Sequence, residues 1–179
     1  MIAADRVVVL DRDGTLVIDR GYLSDPDGLE FEPGAVAGLQ RLYSHGYRLV
    51  VASNQSGVGR GLFTLERLAS MNARLNAMVE ASGARLEGIY CCPHAPDAGC
   101  TCRKPAPGLL LRAASELGFK PESAVVIGDK ESDMEFGRLA GAATIRIAAD
   151  GAAAPGGTAP DFVAANLLEA AQIITSRRR

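Results

Sequence analysis

Residues 7–10 read Val-Val-Val-Leu, and two carboxylates follow at Asp11 and Asp13, with Gly14 and Thr15 behind them. No other stretch constrains the fold so strongly. The run is short, apolar and β-branched, which suits a strand covered on both faces, as in a parallel sheet. Gly14 permits a sharp turn directly after the acids. In open α/β sheets, ligands bind outside the carboxyl ends of the strands. The pattern therefore sets two acids, two residues apart, where such folds do chemistry. A lone Asp-x-Asp also serves plain turns and caps, so its meaning depends on what lies downstream.

Three later stretches stand in comparable places. Ser53-Asn54-Gln55 ends a second apolar run over Tyr47–Ala52. Arg103-Lys104-Pro105 closes a long loop, and Gly128-Asp129-Lys130-Glu131-Ser132-Asp133 follows a run over Ala124–Ile127. Further strands are predicted over Leu86–Tyr90 and Ala143–Ile147, with a short edge strand over Asp161–Ala164. Helical spacing fills the gaps. Pro33 opens and Gly46 closes a helix carrying Val36, Leu39, Leu42 and Tyr43. Thr64 caps a second helix whose inward stripe is Leu65, Leu68, Met71, Leu75 and Met78. Leu109–Leu117, Ser132–Leu139 and Asn166–Ile174 complete the set, while 16–31, 56–61, 91–107 and 150–160 read as loops. Alternating strands and helices predict an α/β, three-layer Rossmann-like fold, a parallel sheet with helices on both faces. The length, 179 residues, fits one domain over residues 1–179.

Charge and composition exclude several classes. A net charge of −2 gives no whole-molecule attraction for nucleic acid or anionic lipid. Arg177-Arg178-Arg179 reads as a solvated tail. No apolar run is long enough for a signal peptide or a membrane span, so a cytoplasmic, membrane-free protein is expected. With no obvious dimerisation stripe, a monomer is the default expectation.

All four cysteines and one of the two histidines fall in residues 91–102. Cys92-Pro93-His94 followed by Cys100-Thr101-Cys102 offers three sulfurs and an imidazole. That is a closed tetrahedral donor set, the composition of structural rather than catalytic zinc. The competing reading is buried thiols with His94 on the surface. Cys91 alternates with Cys92 along an extended chain and so is expected to point the other way, into the core. Exchange of Cys91 for Cys92 as ligand stays open at this stage.

Taken in order, Asp-Arg-Asp-Gly-Thr, Ser53, Lys104 and the Asp129/Asp133 pair resemble the four motifs of the haloacid dehalogenase superfamily of phosphohydrolases. The Cys-Pro-His…Cys-x-Cys-Arg-Lys-Pro loop narrows the resemblance to the zinc-containing histidinol-phosphatase/heptose-bisphosphatase branch. The resemblance implies that Asp11 is the nucleophile, forming an aspartyl-phosphate, and Asp13 the general acid and base. It implies a catalytic Mg²⁺ held by Asp11, Asp129 and the backbone carbonyl of Asp13. Ser53 and Lys104 would hold the phosphoryl oxygens. Asp133 would orient Lys104 or stand behind the metal. The intervals after the first and third strands are too short for a full cap domain, so the site should be open.

The substrate implied is a sugar phosphate, a heptose 1,7-bisphosphate that loses its 7-phosphate in making lipopolysaccharide heptose, with the β anomer preferred. Arg60 and Arg103 are candidates for the second phosphate. Asn54, Gln55, Asp19, Gly21 and Tyr22 are candidates for sugar hydroxyls, and Lys130 for the phosphate. Histidinol phosphate is the alternative substrate, with Asp19, Tyr22 or Glu30 facing its imidazole and amine. A silent, zinc-stabilised binding module is the alternative outside enzymes.

Overall fold

The computed structural model describes residues 6–149 and 157–176. Part of the loop expected over 150–160 and the arginine tail lie outside the described residues. Six strands form a wholly parallel sheet in the order β3-β2-β1-β4-β5-β6. They are β1 (Val7–Leu10), β2 (Arg48–Asn54), β3 (Leu86–Cys92), β4 (Ala124–Gly128), β5 (Ala143–Ile147) and β6 (Phe162–Ala164). β1 lies inside, paired with β2 and β4, and all four of its residues are buried. Strand order reverses at β1, so the crevice at its carboxyl end is a topological switch point.

The helices are α1 (Ala35–Ser44), α2 (Leu65–Ala81), α3 (Gly108–Leu117), α4 (Glu131–Leu139) and α5 (Leu167–Ser176). The period-two alternation of β1 divides the core between the faces. Val8 and Leu10 pack with Leu39, Met71, Leu75 and Leu167 of α1, α2 and α5. Val7 and Val9 pack with Leu109, Leu110 and Phe136 of α3 and α4. Gly38 lets α1 approach α5, since a Cβ there would stand 2.7 Å from the Leu167 backbone.

Local signals place most element ends. The Thr64 side chain accepts from Arg67 N–H at the start of α2, and Asn166 from Glu169 N–H at the start of α5. Three expectations change. Leu65, placed in the inward stripe, sits in the first turn of α2 and is 58% exposed; Leu68, Met71, Leu75 and Val79 carry the buried face. β3 runs on through Cys92 because Asn54 and Cys92 still pair across the ladder, so the irregular loop begins at Pro93. Cys91 belongs to neither apolar cluster. It is half-buried beside Asn72 of α2, and Cys92, on the opposite face, is the one inside the core.

Between β1 and α1, the described chain carries only a 3₁₀ turn at Pro26–Gly28 and two isolated bridges, and between β3 and α3 only loop. Neither interval builds a cap domain.

Candidate active site

The carboxyl ends of β1, β2 and β4 bring their acids and hydroxyl together, and the loop after β3 adds the lysine. Asp11 leaves β1 with its N–H donating to the Ile127 carbonyl of β4 at 2.9 Å. Ser53 lies in β2 and is 1% exposed. Asp129 follows β4 directly, and Gly14 makes room for it. A Cβ on Gly14 would come 2.5 Å from the Asp129 carboxylate, and the residue has φ of +85°, which a side chain tolerates poorly. Gly128 does the same for Asp133, whose carboxyl carbon would lie 2.4 Å from an added Cβ.

Lys104 reaches in from the 93–107 loop and is 5% exposed. Its ammonium lies 2.6 Å from Asp11 Oδ1, 2.6 Å from Asp133 Oδ1 and 2.8 Å from the Ala52 carbonyl, so its three hydrogens are all engaged. Burial disfavours its charge, but the two carboxylates outweigh burial and hold its pKa above the ordinary lysine range. Asp133 spends its other oxygen on the Lys130 N–H at the start of α4. Both its oxygens are thus committed to holding Lys104 and the helix.

Asp129 is different. Its Oδ1 is buried and has no hydrogen-bond partner among the described residues. Burial, and next the nearby Asp11 charge, push its pKa to about 7 against the influence of Lys130. Donor oxygens of Asp11, Asp129 and Asp133 lie within 4.8 Å of one another. An orphaned, half-neutralised carboxylate beside a second carboxylate is the arrangement that a hard divalent cation resolves. The residues present therefore fit Mg²⁺.

Asp13 is held by two side chains. Arg12, 2% exposed, meets its carboxylate through Nε and Nη2, and Gln55 donates to it at 2.9 Å. Burial raises the Asp13 pKa, Arg12 lowers it, Asp11 raises it again, and the net direction is upward. An acid kept protonated more readily than usual suits proton donation. Arg12 drew no role from the sequence, although it sits between the two acids. A charged residue inside a motif otherwise buried is the signal that would have found it.

Asn54 and Gln55, expected to face sugar hydroxyls, both line the cleft, and their amides also make hydrogen bonds within the protein. Asn54 pairs with both the N–H and carbonyl of Lys104 at 3.0 Å each, which pins the loop that delivers the lysine. Gln55 links Arg12, Asp13 and Ser53.

A narrow recess of about 40 Å³ is bounded by Asp11, Asp13, Ser53, Lys104, Asp133 and Ser132. Beside it opens a cleft of about 360 Å³, lined among others by Asp19, Gly21, Tyr22, Arg103, Lys130 and Ser132. Ser132 lines both and was not singled out from sequence. Lys130 spans the rim to Asp19 at 3.1 Å. The Arg103 Nη1 is buried with no partner. Arg60 does not line the cleft; it lies exposed, 5.9 Å from the Tyr22 ring centre.

In the 92–102 loop, Cys92, His94, Cys100 and Cys102 converge with donor atoms all within 4.8 Å. His94 Nδ1 lies 3.5 Å from Cys92 Sγ and 3.2 Å from Cys102 Sγ, and Cys92 lies 3.6 and 3.3 Å from Cys100 and Cys102. Ligands at Zn–S lengths of ~2.3 Å would define tetrahedron edges of roughly 3.8 Å, so the four donors fit zinc closely. Burial raises the Cys92 thiol to about 12. Burial would raise Cys100 too, but the Arg103 N–H and the neighbouring thiols donate to its sulfur and bring it down to about 6. Of the two neighbouring cysteines, Cys92 joins the cluster and Cys91 faces α2.

Comparison with known proteins agrees with this geometry. Residues 101–170 match the HAD-hydrolase-like family model. The chain is 36% identical over 179 residues to a D-glycero-β-D-manno-heptose-1,7-bisphosphate 7-phosphatase of Yersinia pestis, covering 95% of each. The chain belongs to the heptose-bisphosphatase family of the haloacid dehalogenase superfamily. A Helicobacter pylori (strain J99) enzyme of the same name is 43% identical over 138 residues, covering 76% of this chain and 79% of the relative. The crystal structure of the D,D-heptose 1,7-bisphosphate phosphatase of B. bronchiseptica, complexed with magnesium and phosphate, superposes with a TM-score of 0.84 at 28% identity, over 96% of this chain and 98% of that one. Family membership makes the chain a phosphatase, as its motifs and its capless fold lead one to expect. No described helix is long and apolar enough to cross a membrane.

Proposed function

We propose that this phosphatase removes the 7-phosphate of D-glycero-β-D-manno-heptose 1,7-bisphosphate. The observation that carries the reading is the pairing of two spaces. A phosphoryl-sized recess holds Asp11, Ser53 and Lys104, and Arg103, whose guanidinium pairs with no carboxylate among the described residues, lines the adjoining cleft, where it suits a second phosphate. The relatives' substrate carries two phosphates in just this sense.

Asp11 attacks phosphorus, and the P–O bond to the sugar breaks as the Asp11–P bond forms. Asp13 gives its proton to the departing alkoxide. It then takes a proton from the water that attacks phosphorus and releases Asp11. Ser53 Oγ and the Lys104 ammonium hold phosphoryl oxygens, Lys104 exchanging its Asp11 contact as that carboxylate loses its charge. Asp11, Asp129 and the Asp13 carbonyl would hold Mg²⁺, which supplies charge neutralisation at the phosphoryl oxygens. Cys92, His94, Cys100 and Cys102 would hold a structural zinc, fixing the loop that ends in Arg103 and Lys104.

The acids that histidinol phosphate would need are engaged elsewhere. Asp19 pairs with Lys130 and the Gly21 N–H, and Glu30 with Arg20. The test is phosphate release with Mg²⁺ from both anomers of heptose 1,7-bisphosphate and from histidinol phosphate. The β anomer is expected to give the highest kcat/KM; preference for histidinol phosphate would overturn the substrate assignment and leave the phosphatase chemistry standing.

A further inference from the structure

Asp13 has an uneven set of partners. Its Oδ2 accepts from Arg12 Nε at 3.1 Å and from Gln55 Nε2 at 2.9 Å, and lies 3.0 Å from Arg12 Nη2 in an ion pair. Its Oδ1 accepts only from Arg12 Nε, at 3.1 Å. A carboxylate oxygen has two lone pairs, so Oδ2 is saturated and Oδ1 retains capacity. Gln55 is itself fixed: its Oε1 accepts from Arg12 Nη2 at 3.0 Å, its Nε2 also donates to Ser53 Oγ at 2.8 Å, and its backbone N–H donates to the Cys92 carbonyl at 2.7 Å.

We propose that Arg12 and Gln55 are positioning residues that hold the Asp13 carboxyl with Oδ1 as the proton-carrying oxygen, aimed at the leaving group. The proposal rests on the phosphatase reading above. Without a cap domain to close over it, an Asp side chain at the floor of an open cleft can leave its working rotamer. A planar guanidinium whose Nε–H is shared between both carboxylate oxygens, with an amide that bridges its Nη2 and the carboxylate, removes that freedom. A buried guanidinium brings no general gain in stability over an apolar core, and what Arg12 does contribute is the geometry it imposes on Asp13. In the first half-reaction, the Asp13 Oδ1 proton passes to the alkoxide as the sugar–oxygen bond to phosphorus breaks and the Asp11–phosphorus bond forms. Arg12 and Gln55 exchange no proton.

The leaving group discriminates this role from a structural one. A 4-nitrophenyl ester departs as a stable phenolate and needs no proton, whereas a sugar or alkyl ester does. kcat/KM reports events up to the first irreversible step, so it isolates this half-reaction. Asp13→Asn sets the benchmark. Arg12→Met and Gln55→Leu are expected to lower kcat/KM for the sugar phosphate by roughly 100-fold, the scale of lost general-acid catalysis, and for 4-nitrophenyl phosphate only slightly. Arg12→Lys keeps the charge without the planar guanidinium that joins Asp13 to Gln55 and should restore only part of the loss. Equal losses on both esters, or full restoration by lysine, would overturn the proposal. If Arg12→Met does not fold, Gln55→Leu carries the same comparison. A wild-type protein that hydrolyses neither ester would count instead against the phosphatase reading, so the two failures are distinct.

Discussion

Asp129 concentrates what single residues contribute. Its carboxylate carries an orphaned oxygen, stands at a pKa of about 7, and occupies space that only a glycine at position 14 leaves open. An acid whose folded pKa is raised binds its proton better folded than unfolded. The fold therefore loses stability at this group as pH rises from the ordinary value near 3.8 to about 7. Metal-free Asp129→Asn is expected to melt above metal-free wild type at pH 7.5, with the gap vanishing near pH 4. Adding Mg²⁺ should raise wild type alone; melting curves at both pH values, with and without the ion, check this. Gly14→Ala should strain the same place through its positive φ and its clash with Asp129, costing of order 1–3 kcal/mol together with Mg²⁺ affinity. Calorimetric titration with Mg²⁺ measures the second effect. The two acids of the first motif and Asp129 were legible because they end apolar runs. Arg12 and the internal use of Gln55 were not, because hydrogen-bond partners 42 and 43 residues apart leave no periodic trace.

At the level of elements, strands and helices were read almost to their ends, while the loops were read for composition only. The reason is physical. Burial imposes period two or 3.6 on strands and helices, but a loop records only donors and turn residues. The errors fall where those signals weaken. Leu65 looked like core because the apolar period extends one turn too far, and Cys92 looked like loop because its thiol chemistry masked the ladder it finishes. What the sequence could not show is how the loops lean on one another. Gly59 N–H donates to the Pro93 carbonyl at 2.8 Å, and a Cβ on Gly59 would stand 2.4 Å from the Ala95 nitrogen. The glycine-rich loop is thus packed on the cysteine loop. Gly59→Val is expected to push the two apart. Limited proteolysis should then cut within residues 93–102 of the variant, under conditions that leave wild type intact, and the same cuts should follow chelation of zinc from wild type.

The whole molecule combines a net charge of −2 with a local run of cations, Arg103, Lys104 and Lys130, at one end of a parallel sheet. A bisphosphate gains no long-range attraction from such a protein, so discrimination depends on contacts made inside the cleft. Of these cations, Lys104 is tied to Asp11 and Asp133 and Lys130 to Asp19, whereas Arg103 lines the cleft and pairs with no carboxylate among the described residues. Arg103 is therefore the side chain best placed to tell a bisphosphate from a monophosphate. Its position follows from its neighbours: it comes one residue after Cys102 and one before Lys104. Arg103→Ala should raise KM for the bisphosphate by roughly 10- to 100-fold, the worth of one charge-assisted contact, and leave KM for a monophosphate nearly unchanged. Removing the zinc proposed for the cysteine cluster should raise KM for the bisphosphate too, because it loosens the segment that carries Arg103, but it should also lower the melting temperature and kcat, because Lys104 moves with it. Kinetics on both substrates, run beside thermal melts of Arg103→Ala and of chelated wild type, separate the two. If chelation left kcat and melting temperature intact, the cysteine cluster would have no part in holding the catalytic lysine.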